Sequence, residues 1–230
     1  MLALVGSGEY LPSMEPVDRK LLERLGPCPR VVCLPTAAGT EGPDRIGYWS
    51  RLGVEYFERL GARPEALPVI DRQSADDPTL AAAITKADFV YLSGGKPDYL
   101  YRTLDGTRSW EAILLVLAGG GLLAGCSAGA MVLGEKFFGF PGWHTGFDLV
   151  PGVTVVPHFD EIPGALSRSI HALAGKHLMV AGIEANTALV KNGSQYEVLG
   201  AGGVTLWRGS SKMRYTAGTL PAAALAATSL

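Results

Sequence analysis

The sequence predicts an α/β protein, with a mostly parallel sheet covered by helices on both faces and β-hairpins toward the C-terminus. Three observations predict it. Short uninterrupted apolar runs alternate with longer amphipathic stretches up to about Gly134, and strands buried on both faces read as such runs. Glycine or proline closes most of the runs, as expected of strand ends and helix stops. After Gly134 the texture changes to short strands punctuated by Asn192-Gly193 and Gly202-Gly203, which are hairpin signals.

Taken in order, Leu2 to Val5 reads as a strand ending at Gly6-Ser7-Gly8, and Pro16 to Leu25 as a helix stopped by Gly26-Pro27. Arg30 to Leu34 is a second strand, closed by Pro35, and Tyr48 to Leu60 a helix ended by Gly61. Ala66 to Ile70 is a weak strand and Thr79 to Thr85 a helix. Asp88 to Leu92 is a strong strand running into Ser93-Gly94-Gly95; Tyr99 to Leu104 and Trp110 to Leu117 follow as helices. Leu122 to Ala124 is a short buried strand, and a helix begins at Ser127 and reaches Leu133. Val153 to Val156, Ala188 to Val190, Tyr196 to Leu199 and Val204 to Trp207 read as strands, the last three as hairpins, with a helix at Leu166 to Ala174.

The chain of 230 residues has no internal repeat, low-complexity tract or convincing linker, so a single domain over 1–230 is the simplest organisation. Thirty glycines and 47% apolar residues suit a compact core with tight turns. A net charge of −2 without a Lys/Arg cluster argues against nucleic-acid binding. Cys28, Cys33 and Cys126 form neither a disulfide framework nor a zinc-ligand spacing, which fits a reducing, cytoplasmic setting and no metal. The N-terminus lacks a basic n-region and its apolar run is too short for a signal peptide. Ala112 to Gly134 is uncharged and long enough to span a bilayer, but Gly119-Gly120-Gly121 interrupts it; it reads as helix, turn and strand, and no membrane association is expected.

The run Gly125-Cys126-Ser127-Ala128-Gly129 falls between a strand and a helix. A nucleophile projecting from the carboxyl end of a strand needs a sharp turn, and small flanking residues keep that turn from clashing. The same residues also fit a Gly/Ala-rich helix start at which Ser127 is only a cap. As a nucleophile Ser127 needs oxyanion donors. The Ala128 N–H is one candidate, and Ser93-Gly94-Gly95 offers bare backbone for a second. Of the four histidines, His158 follows a strand and a proline and so lies at a strand end, where sheet ligands bind. His144, in the Gly/Pro/aromatic loop from Phe140 to His144, ranks second as base; His171 and His177 lie on or just after a helix and suit structural roles. The carboxylate that orients the imidazole has four candidates: Glu184, Asp160, Glu161 and Asp148.

These residues resemble the serine peptidases of the peptidase E (aspartyl dipeptidase) and cyanophycinase type. Four features carry the resemblance. They are Gly125 to Ala130 around Ser127; Leu92-Ser93-Gly94-Gly95 with Asp98 and Leu100; Leu149 to Val153 leading to His158-Phe159; and Gly182 to Leu189. The resemblance implies the class I glutamine amidotransferase-like (flavodoxin-like) α/β fold, with Ser127 as nucleophile, His158 as base, and Gly95 with Ala128 as oxyanion donors. It places the acidic triad member at Ala185. Glu184, beside it, is the first candidate; Asp160 or Glu161 is the alternative, as is a catalytic dyad. Cyanophycinase-like members carry several basic residues after the histidine. Here His158 is followed by Phe159-Asp160-Glu161-Ile162-Pro163, with Arg168 further on, so a small peptide is the expected substrate. Asp160 or Glu161 is a candidate to bind its free amino group. The expected chemistry is serine-type amide hydrolysis through an acyl-enzyme, with no cofactor, in a possible homodimer. The competing reading is a non-catalytic member of the fold that binds a small molecule or partner in the same cleft; Ala185 motivates it. An amidotransferase-like enzyme is disfavoured, because those use cysteine where Ser127 stands.

Overall fold

The computed structural model describes residues 1–139, 142–221 and 224–225. Phe140 and Pro141, part of the segment up to His144 that the sequence suggests is a loop, lie outside them. The parallel half of the chain contains β1 (Leu2–Val5), α1 (Glu15–Glu23), β2 (Arg30–Leu34), α2 (Pro43–Arg59), β3 (Arg63–Ala66), α3 (Arg72–Ala75) and α4 (Pro78–Ile84). It continues through β4 (Phe89–Leu92), α5 (Pro97–Leu104), α6 (Arg108–Ala118), β5 (Leu122–Cys126) and α7 (Ala128–Val132). Then come β6 (Lys136–Gly139), β7 (Gly142–Thr145), β8 (Val153–Val156), α8 (Gly164–Ala174) and β9 (Met179–Ile183). The chain closes with β10 (Thr187–Asn192), β11 (Gln195–Gly200), β12 (Val204–Arg208), β13 (Ser211–Tyr215) and β14 (Gly218–Thr219).

Among the described residues, eight strands form the main sheet in the order β14-β11-β10-β1-β5-β4-β2-β3. The five from β1 to β3 run parallel, and β10, β11 and β14 continue the sheet antiparallel. The inner parallel strands β1, β5 and β4, and β2 after Arg30, are apolar because both faces are covered. In β1, Leu2 and Leu4 join one core while Ala3 and Val5 join the other, and β4 divides Val90 and Leu92 from Phe89 and Tyr91 in the same way. Val17 and Leu21 of α1 and Tyr56 and Phe57 of α2 cover the second face. Ile84 of α4, Leu100 of α5 and Ile113 of α6 cover the first. The uncharged stretch from Ala112 to Gly134 is the end of α6, a glycine turn, β5 and α7. No helix among the described residues is long and apolar enough to cross a membrane.

Three readings of the sequence need correction. The third strand is Arg63–Ala66, paired with β2, and not Ala66 to Ile70. It is an edge strand with charge and proline, so it leaves no apolar run; the buried Leu67 and Val69 that suggested a strand follow it as irregular backbone. Gly202-Gly203 does not make a hairpin of β11 and β12. It carries the chain from the main sheet into a second one, ordered β13-β12-β9-β8. That sheet contains β9 and β13, and a further hairpin joins β6 to β7; none of these four was read from the sequence.

One core group is ionisable. Asp18 of α1 is fully buried, accepts a 2.7 Å hydrogen bond from Tyr56 Oη through Oδ2, and has no partner at Oδ1. Burial raises its pKa from 3.8 to about 7, against a smaller lowering by the Tyr56 hydroxyl. The folded state therefore holds this proton more tightly than the unfolded chain. The resulting stability is complete below pH 4 and is lost as pH rises to about 7, on the order of 4 kcal/mol at most. Asp18→Asn keeps an acceptor for Tyr56 and removes the charge, so its melting temperature should fall less between pH 5 and pH 8 than that of the wild type. Equal slopes in a thermal melt series would reject this account.

Candidate active site

Ser127 stands at the carboxyl end of β5 with φ 51° and ψ −110°, an uncommon backbone for a residue with a side chain. Its N–H bonds to the Val5 carbonyl at 3.0 Å, which ties the turn to β1. Glycine is required on both sides. A Cβ at Gly125 would lie 2.4 Å from the Gly129 carbonyl, and one at Gly129 2.5 Å from the Leu92 carbonyl oxygen. Ser127 occupies the N-cap position of α7, yet its side chain makes no capping bond. Its Oγ lies 3.2 Å from His158 Nε2. The neighbouring Cys126 is buried, and burial followed by the Glu9 charge pushes its thiol well above the ordinary range. Thiolate chemistry is thereby suppressed at that position.

His158 follows β8 in the second sheet and also has positive φ, at 51°. The Phe159 N–H bonds to the Ile183 carbonyl, and the Asp160 carboxylate accepts the Ala185 N–H at 2.8 Å, so the turn is fastened to the end of β9. Glu161 N–H returns to the His158 carbonyl at 2.9 Å. This closes a turn that brings Glu161 Oε2 to 3.1 Å from His158 Nδ1. The Glu161 side chain is 60% exposed and that of His158 39%. Glu184, the first candidate to hold the imidazole, is engaged elsewhere. Both its oxygens meet the Arg214 guanidinium at 2.6 Å, and Oε2 accepts the Gly203 N–H. The Arg214 bonds hold its carboxyl below the usual range, against a smaller effect of burial. His144 is stacked on Phe137 and His171 on Trp207.

Ser127 and His158 line a cleft of about 340 Å³ together with Gly94, Gly95 and Glu9. Gly95 has φ 143°, and a Cβ there would meet the Ala37 carbonyl oxygen at 2.6 Å, so only glycine fits. Ala128, directly after Ser127, begins α7. Tyr48 and Trp49 form another wall, with the Arg45 guanidinium over both rings and paired with Glu41. Glu9 was not anticipated from the sequence. It follows β1 in the Gly6-Ser7-Gly8 turn, and both its carboxyl oxygens lie within 3.2 Å of the Gly94 nitrogen, whose N–H they accept. Burial raises its pKa, against smaller lowering by Cys126, the Gly94 N–H and His158. The only sequence signal for it is a carboxylate set in a glycine turn at a strand end. A larger cleft, about 510 Å³, lies at the amino ends of β2 and β3 between Arg30, Arg63 and Lys86. It is at the opposite end of the strands from the loops that hold Ser127, and parallel sheets bind ligands at the carboxyl ends.

The chain matches the family model of peptidase family S51 over residues 2–199. It is 31% identical over 199 residues to a cyanophycinase from Synechococcus elongatus; the match covers 80% of this chain and 60% of that protein. The chain thus accounts for about 60% of the length of the cyanophycinases it matches. The crystal structure of a peptidase from an acI-B1 Actinobacterium superposes with a TM-score of 0.87 at 37% identity, covering 95% of each chain. A candidate peptidase E protein of Listeria monocytogenes shares the fold, with a TM-score of 0.62 at 19% identity over 94% of this chain and 98% of that one. With its α/β sheet, serine elbow and facing histidine, the chain belongs to peptidase family S51.

Proposed function

We propose that this chain is a serine peptidase, or a closely related amide hydrolase, that cleaves small peptides through an acyl-enzyme on Ser127. The observation that carries the reading is the hydrogen-bonded series Ser127 Oγ, His158 Nε2, His158 Nδ1 and Glu161 Oε2, at 3.2 and 3.1 Å. Nucleophile, base and orienting acid stand in that relation in serine hydrolases, and such bonds are commonly long before substrate binds. The strained Ser127 backbone supports it, because the hydroxyl is turned toward His158 at the expense of capping α7.

In this mechanism Ser127 Oγ attacks the scissile carbonyl carbon and its proton passes to His158 Nε2. Glu161 stabilises the imidazolium and holds the ring, a role in which it replaces Glu184. The tetrahedral oxyanion is met by the N–H groups of Gly95 and Ala128; the Gly94 N–H is already taken by Glu9. Collapse breaks the C–N bond, and the leaving amine takes the proton from His158. Water, deprotonated by His158, then attacks the ester carbon, releasing the acid and returning the proton to Ser127. The cycle uses no metal or cofactor. A cleft of about 340 Å³ suits a ligand of a few residues. The basic residues expected of a cyanophycin-cleaving site are absent between His158 and Arg168. With Asp160 committed to the Ala185 N–H and Glu161 to His158, neither carboxylate is assigned to the substrate amine.

A fluorophosphonate probe should label the native protein at Ser127, identified by mass spectrometry, and Ser127→Ala should abolish the labelling. A folded wild type that stays unlabelled would favour the non-catalytic reading. Glu161→Gln should lower kcat/KM roughly 10- to 1000-fold, less than for a fully buried triad acid. Glu184→Gln should lower thermal stability and leave the labelling rate within about threefold, since it orders β12 and β13. The reverse pattern in two stably folded variants would return the orienting role to Glu184.

A further inference from the structure

Glu9 belongs to no step of the mechanism above, yet its carboxyl group lies beside Ser127. Its bond with Gly94 joins the loop after β1 to the loop after β4, and these two strands flank β5, which carries the serine. A Cβ built on Gly94 would fall 3.1 Å from Glu9 Oε2 and 3.3 Å from Ser127 Cβ, so Gly94 is set between the two side chains.

The peptide between Gly94 and Gly95 has glycine on both sides, which leaves few steric barriers to its flipping. Its neighbours are held. The Gly94 N–H, in the preceding peptide plane, donates to Glu9, and the Lys96 N–H, in the following plane, donates to the Ala37 carbonyl at 3.0 Å. Each peptide unit is planar, so anchoring the planes on either side restricts the one between them. Ala37 supplies a backbone anchor. Glu9 is the side-chain anchor, and it comes from a different loop.

We propose that Glu9 is a positioning residue that clamps the Gly94–Gly95 peptide and keeps the Gly95 N–H directed at the oxyanion formed on Ser127; the inference rests on the acyl-transfer reading. A carboxylate beside a developing negative charge would oppose the reaction. A neutral carboxyl accepts the same N–H through its carbonyl oxygen without that repulsion, and burial favours this protonated form. Glutamine reproduces the neutral acid in shape and acceptor, and alanine removes the acceptor.

The test compares wild type, Glu9→Gln and Glu9→Ala by three measurements: fluorophosphonate labelling rate at Ser127, p-nitrophenyl acetate hydrolysis, and amide hydrogen exchange over residues 93–96. Glu9→Ala should slow labelling and kcat roughly 10²-fold with little change in KM, and should speed exchange in that segment. Glu9→Gln should restore both to within about fivefold of wild type. Labelling of Glu9→Ala at the wild-type rate would overturn the proposal, as would Glu9→Gln as slow as Glu9→Ala, which would make the charge the operative feature. Unaltered exchange in Glu9→Ala would overturn the clamp whether or not Ser127 reacts. An unlabelled wild type with accelerated exchange in Glu9→Ala would instead uphold the clamp and remove the acyl-enzyme reading.

Discussion

At two glycines, helix α7 comes into backbone contact with the ends of β5 and β4. Gly125 faces the Gly129 carbonyl and Gly129 faces the Leu92 carbonyl, each too close for a Cβ. Because the helix begins one residue after the strand stops, the chain reverses at Ser127 alone, and that residue takes the strained φ. The strain persists because the surroundings over-determine it: the Ser127 N–H is fixed to β1, and Ala128, Ala130 and Val132 are packed into the core. The direction of the Ser127 side chain is therefore set by the main sheet before any other part of the site is considered.

The remaining groups reach Ser127 from loops at the same end of the strands. Two carboxyl groups approach the site in opposite environments. Glu161 is mostly in water, beside His158 Nδ1. Glu9 is enclosed between the loops, where burial favours the neutral acid. In the proposed reaction a positive charge grows on His158 and a negative one on the substrate oxygen. Burial thus distinguishes Glu9, near the second charge, from the water-exposed Glu161 near the first, and it acts on Glu9 in the direction that lessens repulsion of the oxyanion.

The legible parts of the sequence were those in which local pattern and burial agree. The strands β1, β4 and β5, and β2 after Arg30, are apolar because both faces are covered, and the Ser127 elbow is visible because backbone contact at Gly125 and Gly129 excludes every residue but glycine. The strand β3 was misplaced by a few residues because an edge strand with Pro64 lacks an apolar run, while Leu67 and Val69 are buried without a ladder. The strand β13 reads as polar, and β6 and β7 are mostly half-buried, so neither leaves a periodic signal. Glu9 was invisible for a different reason. Its bond to Gly94 crosses 85 positions of sequence, and only the sheet order brings the two loops together.

The acid beside His158 follows from similar considerations. The resemblance places the acidic member at Ala185, at the end of β9, where it would depend on the register between two strands of the second sheet. In this chain the end of β9 has other duties: the Ala185 N–H donates to Asp160, and Glu184 is forked by Arg214. Glu161 lies three residues from His158, and the turn that joins them is closed by its own backbone bonds. In the proposed mechanism the histidine and its acid thus come from one turn, and the sheet behind it is needed only to hold that turn in place. Exposure reduces what such a pair contributes, because water screens the carboxylate. The arrangement exchanges electrostatic strength for local construction, and it leaves the fastening of the turn to Asp160 and the Phe159 backbone.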